Sequence, residues 1–125
     1  MNVVDSSAWL EYFANGPNAG FFAPAIENSG ELLVPSLTLF EVFKRVLQQR
    51  DEDHALQAVA VMQQAMVIDL DSRIALEAAK ISHDRGLPLA DSVIYATAQV
   101  HRAVLWTQDA DFEDLAGIRY RRKNP

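Results

Sequence analysis

The chain has 125 residues, of which 50% are hydrophobic and 22% charged, and this predicts a single globular domain over residues 1–125. The absence of cysteine excludes disulfides and thiolate metal ligands, and no apolar run approaches the ~20 residues needed to span a membrane. The N-terminus begins in strand-like sequence without the apolar core of a signal peptide, so we expect a soluble, cytoplasmic protein without membrane contact.

The net charge of −6 at first argues against a nucleic-acid ligand. Its distribution weakens that objection, because four cations crowd the C-terminal end: Arg119, Arg121, Arg122 and Lys123. A basic segment beside an acidic pocket could hold a phosphate backbone while the pocket holds a cation. The alternative is that these residues form only a solvated tail.

Short apolar runs alternate with helical patterns along the chain. Strands are predicted at residues 2–4, 32–34, 67–70 and 103–107, and residues 118–120 could form a fifth. Helices are predicted after residue 6 and at 19–27, 36–49, 53–65, 72–85 and 90–101. The alternation predicts an α/β fold whose central parallel sheet of about five strands carries helices on both faces.

The clearest helical pattern is residues 36–49, whose apolar side chains share one stripe: Leu39, Val42, Phe43, Val46 and Leu47. Glu41 lies nearly opposite that stripe and faces either bulk solvent or a groove. Thr38 and Glu41 also fit a capping box, which is a structural alternative for this acid. In the helix at 53–65, the inward set is predicted to include Leu56 and to continue to Met66.

Four acids occupy positions where an α/β fold gathers side chains. Asp5 and Asp109 follow strands that would flank the switch point of the sheet, where ligands bind. Asp91 opens a buried helix, and Glu41 lies in the second turn of another. Each single Asp is also an ordinary helix cap. Four carboxylates together would repel by on the order of 3 kcal/mol per close pair, and either a cation or a shared proton would offset this repulsion.

The chemistry of such a cluster follows from its donor atoms. Oxygen ligands without cysteine or histidine favour Mg²⁺, or alternatively Mn²⁺, over zinc. These ions activate water and neutralise phosphate during the displacement at a phosphodiester.

These residues carry a family resemblance. Asp5-Ser6-Ser7 after the first strand, Glu41 within residues 35–42, the helix start at residues 89–92 and the element at residues 107–112 resemble a PIN domain. The chain length and the order of these motifs resemble the VapC-type toxins of prokaryotic toxin–antitoxin pairs. The resemblance covers essentially the whole chain and rests on four motifs in the correct order.

The resemblance implies a three-layer fold and a Mg²⁺-dependent endoribonuclease. It also implies that the chain forms a homodimer and is neutralised by a small cognate antitoxin that inserts near the active site. It implies that the catalytic and metal-binding acids are Asp5, Glu41, Asp91 and Asp109. Supporting roles fall to Ser6, Ser7, Thr107 and Asp111, with Asp111 outside the direct metal ligands.

Two other functions compete with the ribonuclease. A receiver-like phospho-accepting domain would use Asp69 or Asp71 as the phosphoacceptor, but it leaves Glu41 and Asp91 without a role. The other alternative is a PIN-like fold that has lost activity and only binds a partner. The remaining polar and aromatic candidates are assigned to helix surfaces, caps and the core: His54, His83, His101, Trp9 and Trp106.

Overall fold

The computed structural model describes residues 1–123 and contains a parallel sheet flanked by helices. The strands are β1 (Asn2–Val4), β2 (Leu32–Pro35), β3 (Met66–Ile68), β4 (Val104–Thr107) and β5 (Ile118–Tyr120). The helices are α1 (Ser6–Phe13), α2 (Ala19–Ile26), α3 (Ser36–Gln49), α4 (Glu52–Met62), α5 (Ser72–Arg85) and α6 (Leu89–Val100). Over residues 1–123, no helix combines the length and apolar character that crossing a membrane requires.

The sheet has the strand order β3-β2-β1-β4-β5, and all its pairs are parallel. The chain therefore moves outward from β1 to β3 and returns to the other side of β1 with β4. This places the switch point between β1 and β4, as the sequence predicted. Receiver domains have the order 2-1-3-4-5, so the topology contradicts the receiver-like alternative.

Alternating side chains of the central strands build a core on each face. Val4 and Trp106 point towards α1 and α2, where they pack with Trp9 and Phe22. On the opposite face the core is formed by residues of the sheet, α6 and the turn after β4: Val3, Leu33, Leu105, Ile94 and Phe112. The period of two along each strand thus produces the predicted sheet with helices on both faces.

Helix ends follow local sequence signals. The Asp71 side chain accepts the Ile74 N–H at 2.9 Å and caps α5, as predicted. Gly86 ends α5 with φ of +71°, a left-handed conformation that a residue with a Cβ adopts at a cost.

The predictions for α4 and β3 need correction. The helix spans Glu52–Met62 instead of 53–65, and its buried side chains are Ala55, Ala58 and Met62. Leu56 is 51% exposed and Met66 60% exposed, so neither points inward. Small alanines allow close packing of α4, and Met66 belongs to edge strand β3 instead of the helical stripe.

Candidate active site

Asp5 and Thr107 form the centre of the carboxyl edge of the sheet. Val4 is the register partner of Trp106, so both residues leave adjacent strands side by side. Asp5 is 3% exposed, and its Oδ1 accepts the Ala8 N–H at 2.9 Å and the Ser7 hydroxyl at 3.0 Å. Its Oδ2 accepts the Thr107 hydroxyl. Asp5 is therefore both the N-cap of α1 and a buried carboxylate of the site.

Three further carboxylates converge beside this pair. Oxygens of Asp91, Asp109 and Asp111 lie within 4.8 Å of one another. Asp109 is aligned by its backbone N–H, which donates to the Thr107 hydroxyl at 2.9 Å. Its Oδ1 in turn accepts the Asp111 N–H at 2.9 Å. Asp111, expected in a supporting role, thus lies within the group of converging carboxylates.

Like charges around Asp91 change its protonation. Partial burial, followed by repulsion from Asp109, Asp5, Asp111 and Glu41, raises the pKa of Asp91 from 3.8 to about 7. Burial also raises the pKa of Asp5 to about 6, although its hydrogen bonds from Thr107, Ala8 and Ser7 oppose the shift. Asp5, Glu41, Asp109 and Asp111 therefore all lie close enough to Asp91 to disfavour its charged form.

Glu41 reaches the site from α3. Its Oε1 accepts the Ser6 hydroxyl at 2.6 Å, so this side chain faces α1 and is half-buried. The capping-box interpretation is wrong, because the N-cap of α3 is Pro35 and makes no side-chain hydrogen bond. The sequence left open whether Glu41 faces bulk solvent or a groove. In the structure its side chain lies between α1 and α3, on the side of the active site.

The C-terminal cations lie at the same edge of the sheet. Arg119 is in β5, and the following Arg121 donates its backbone N–H to the Thr107 carbonyl at 3.0 Å. The Arg122 carbonyl accepts a hydrogen bond from Asn18 Nδ2 at 3.0 Å. The main chain through Arg122 is thus hydrogen-bonded to β4 and α2 next to the acids and is not a free tail. The side chains of the four cations are exposed to solvent.

Two buried polar residues at this edge were missed by sequence reasoning. Asn18 Nδ2 donates to Gln108 Oε1 at 3.0 Å, and Gln108 Nε2 donates to the Ser7 carbonyl at 3.4 Å. Asn18 is 3% and Gln108 4% exposed. The sequence around Asn18 (residues 15–18) is typical of a chain-breaking loop and does not indicate this role. The position of Gln108 directly after a strand could have identified Gln108 as a site residue.

The histidines lie outside this cluster, as predicted. His83 and His101 are at the C-terminal ends of α5 and α6, and both are exposed. His54 is an exposed residue near the start of α4, where it contacts Arg50 and Asp51.

The donor set fits a divalent cation. Asp91, Asp109 and Asp111 offer converging oxygens, and all the nearby acids are hard ligands of the type that Mg²⁺ and Mn²⁺ prefer. Burial is the largest cause of the raised pKa of Asp91, and the repulsion from neighbouring acids that adds to it is a cost that a bound cation would relieve. The arrangement is chemically suited to metal-assisted hydrolysis of a phosphodiester.

Comparison with known proteins agrees with this architecture. The family model of the PIN domain matches residues 3–118. Among curated proteins, none matches the sequence significantly.

Several solved structures have the same fold. A toxin–antitoxin complex from Klebsiella pneumoniae matches with a TM-score of 0.80 and 22% identity, covering 95% of this chain and 96% of that one. VapC20 of Mycobacterium tuberculosis, a sarcin–ricin loop cleaving toxin, matches with a TM-score of 0.78 and 14% identity over 94% and 96% of the two chains. DNA-bound VapBC from Salmonella typhimurium matches with a TM-score of 0.75 and 18% identity over 98% and 97%.

Proposed function

This chain belongs to the PIN domain family, and from that premise we propose that it is a Mg²⁺-dependent endoribonuclease acting in the cytoplasm as the toxin of a type II toxin–antitoxin pair. The observation that carries the proposal is the gathering of four carboxylates around the half-buried Asp91: Asp5, Glu41, Asp109 and Asp111. Such a concentration of like charge is typical of a site that binds a cation. The fold shared with toxins of toxin–antitoxin complexes supports the biological role.

Each acidic side chain has a proposed part in the site. Asp91, Asp109 and Asp111 would hold Mg²⁺, or Mn²⁺ in its place, and Asp5 and Glu41 would complete the ligand and catalytic set. When bound, such a cation lowers the pKa of water and neutralises charge on the phosphodiester. Thr107 and Ser7 orient Asp5 through their hydroxyls, and Ser6 orients Glu41.

The proposed substrate is RNA. Its phosphates would approach from the end of β5, where the main chain carrying Arg121 and Arg122 lies against β4 and α2. These residues, with Arg119 and Lys123, supply positive charge beside an acidic site in a chain of net charge −6. This separation of charge would direct the phosphate backbone of the RNA to the basic residues and the metal cation to the acidic residues.

Cleavage of RNA tests the proposal directly. Wild type should cleave RNA with Mg²⁺ and stop when a chelator is added, and Asp109→Asn should be inactive. Asp53→Asn, which changes an exposed Asp of α4, is the matched control and should cleave like wild type. Metal-independent cleavage, or an active Asp109→Asn, would refute the metal-site mechanism. A wild type that cleaves no RNA would favour the inactive, partner-binding alternative.

The proposed antitoxin site is a groove between α1, α3 and α4. It has a volume of about 320 Å³ and is lined by apolar side chains that include Leu10, Phe13, Val46 and Val61. At its edge, Arg50 Nη2 lies 2.9 Å from His54 Nε2. We propose that the groove binds an apolar antitoxin segment, because its lining is apolar, and that this segment carries an acidic residue that would complement the charge of Arg50.

A second copy of the chain is the proposed partner of the α5–α6 surface. Leu76 is 73% exposed and Leu89 75% exposed, and a pocket of about 190 Å³ lined by Ala75, Ala79 and Leu89 lies at this surface. Leu76 protrudes from α5 directly after Ala75, a residue of the pocket. This arrangement suits a twofold contact in which Leu76 of each copy inserts into the pocket of the other. This surface would form the homodimer.

A further inference from the structure

Two arginines lie over two neighbouring aromatic rings beside the acidic site. The guanidinium carbon of Arg119 is 5.1 Å from the ring centroid of Trp106, and that of Arg121 is 5.0 Å from the ring centroid of Phe21. The two rings are themselves in contact, with centroids 5.3 Å apart. We call these four residues the arginine–aromatic stack.

The position of the stack follows from strand register. Arg119 is the partner of Trp106 across β4 and β5, so the two side chains share one face of the sheet. Residues two apart on an extended chain point to the same side, which brings Arg121 to the face that carries Arg119. Both arginines are exposed, whereas Trp106 is buried.

The surrounding backbone holds the stack in place. The Arg121 N–H donates to the Thr107 carbonyl at 3.0 Å. Asn18, at the start of the helix that carries Phe21, donates its side-chain amide to the Arg122 carbonyl at 3.0 Å. The backbone of this segment and the aromatic rings are already fixed. The protein would therefore lose little conformational entropy when a ligand binds the guanidinium groups.

The stack is also directly connected to the acidic cluster. Thr107 accepts the Arg121 N–H with its carbonyl and donates its hydroxyl to Asp5. A nucleic-acid strand lying across the exposed arginines would therefore pass the carboxyl end of β4, where the carboxylates converge.

We propose that the arginine–aromatic stack binds unpaired bases of single-stranded RNA next to the phosphodiester that is cleaved, an inference that rests on the proposed ribonuclease function. Each guanidinium lies about 5 Å from the centroid of an aromatic ring and belongs to an exposed residue, so an unpaired base can approach it from the solvent side. Unpaired RNA bases stack on arginine planes of this kind. Bases within a duplex are stacked on each other and offer no such face.

Lysine substitutions separate stacking from charge. Arg119→Lys and Arg121→Lys retain the positive charge but lose the planar group. The control is Arg102→Lys, since Arg102 is exposed and lies before β4, at the opposite edge of the sheet. Binding of a fluorescent RNA strand is measured by anisotropy in chelator, so that the result is independent of cleavage. The same strand is measured annealed to its complement, with abasic sites, and as DNA.

Each single lysine variant should bind the single strand about tenfold more weakly than wild type, the order expected for one base stacked on a planar side chain. Its affinity for the duplex and for the abasic strand should equal that of wild type, and the control should match wild type throughout. An unchanged affinity for the single strand, or an equal loss on the duplex, would overturn the proposal. Tighter binding of the DNA strand would overturn the assignment to RNA.

Cleavage assays separate this inference from the proposed function. If wild type cleaves RNA with Mg²⁺ and the lysine variants bind the single strand as wild type does, only the stacking inference fails. If wild type neither binds nor cleaves RNA, both fail. Lower melting temperatures of the lysine variants with unaltered RNA binding would mean that the arginines only stabilise β5.

Discussion

Thr107 donates a hydrogen bond to the buried carboxylate of Asp5 across the two central strands of the sheet. The same hydroxyl accepts the Asp109 N–H at 2.9 Å, so one side chain orients two acids that are distant in sequence. Because Thr107 is completely buried, water cannot readily replace the hydrogen bonds that its hydroxyl makes.

Thr107→Val should weaken both the fold and the site. Valine has nearly the same shape but leaves the Asp5 carboxylate and the Asp109 N–H without this partner, which costs about 1–3 kcal/mol of unfolding free energy. Urea denaturation measures the loss, and calorimetry should show weaker Mg²⁺ binding. Thr107→Ser retains the hydroxyl and is the control. Equal stability of the valine and serine variants would contradict this role.

Asp91→Asn should stabilise the metal-free protein at neutral pH, because Asp91 is the acid that feels repulsion from all the others. Mg²⁺ should raise the melting temperature of wild type by ligand linkage, worth about 2.7 kcal/mol at 100 times the dissociation constant. The variant should gain much less. Asp5→Asn should bring no comparable stabilisation, because the Asp5 carboxylate accepts three hydrogen bonds. An equal response of wild type and Asp91→Asn to Mg²⁺ would argue against a cation at this site.

The stability of the metal-free protein should fall as pH rises from about 4 to about 7. The pKa of Asp91 rises from 3.8 to about 7, so in this range the folded state holds a proton that the unfolded chain releases. Asp5 contributes with the same sign, since its pKa rises to about 6. Because Asp91 is half-exposed, solvent screening reduces its contribution. Urea denaturation in chelator at several pH values should give a shallower fall for Asp91→Asn, and identical slopes would contradict the assignment.

Val46→Glu should abolish antitoxin binding while leaving RNA cleavage intact, because it introduces a charge into the groove of α1, α3 and α4. The control is Leu56→Glu, at a position that is 51% exposed and outside the groove lining. Titration calorimetry with the antitoxin measures the difference. Normal binding by Val46→Glu would exclude the groove as the docking site.

Leu76→Glu should convert the proposed dimer into a monomer, because a charged side chain would replace the leucine that inserts into the partner's pocket. Light scattering at high protein concentration measures the mass, again with Leu56→Glu as the control. A wild type that remains monomeric, or a variant that remains dimeric, would contradict the assigned surface.

The sequence alone determined the fold class and the positions of the acids along the chain. Strand-like runs ending in Asp5 and Asp109 placed these acids at one edge, because parallel strands connected by helices end on the same side. The helix at residues 36–49 was predicted with the bounds observed, since its apolar stripe repeats at helical spacing. These features depend on local periodicity and on general rules of chain connection, which a sequence carries directly.

Tertiary contacts decided the rest. Whether Glu41 faced solvent or a groove depended on Ser6, which lies 35 residues away. The role of Asn18 depended on Gln108 and Arg122, and the arginine–aromatic stack depended on β5 lying beside β4. Leu56 and Met66 were wrongly predicted inward because an apolar side chain does not reveal whether a neighbouring element covers it. Long-range packing sets these contacts, and local periodicity contains no record of which distant residues become neighbours.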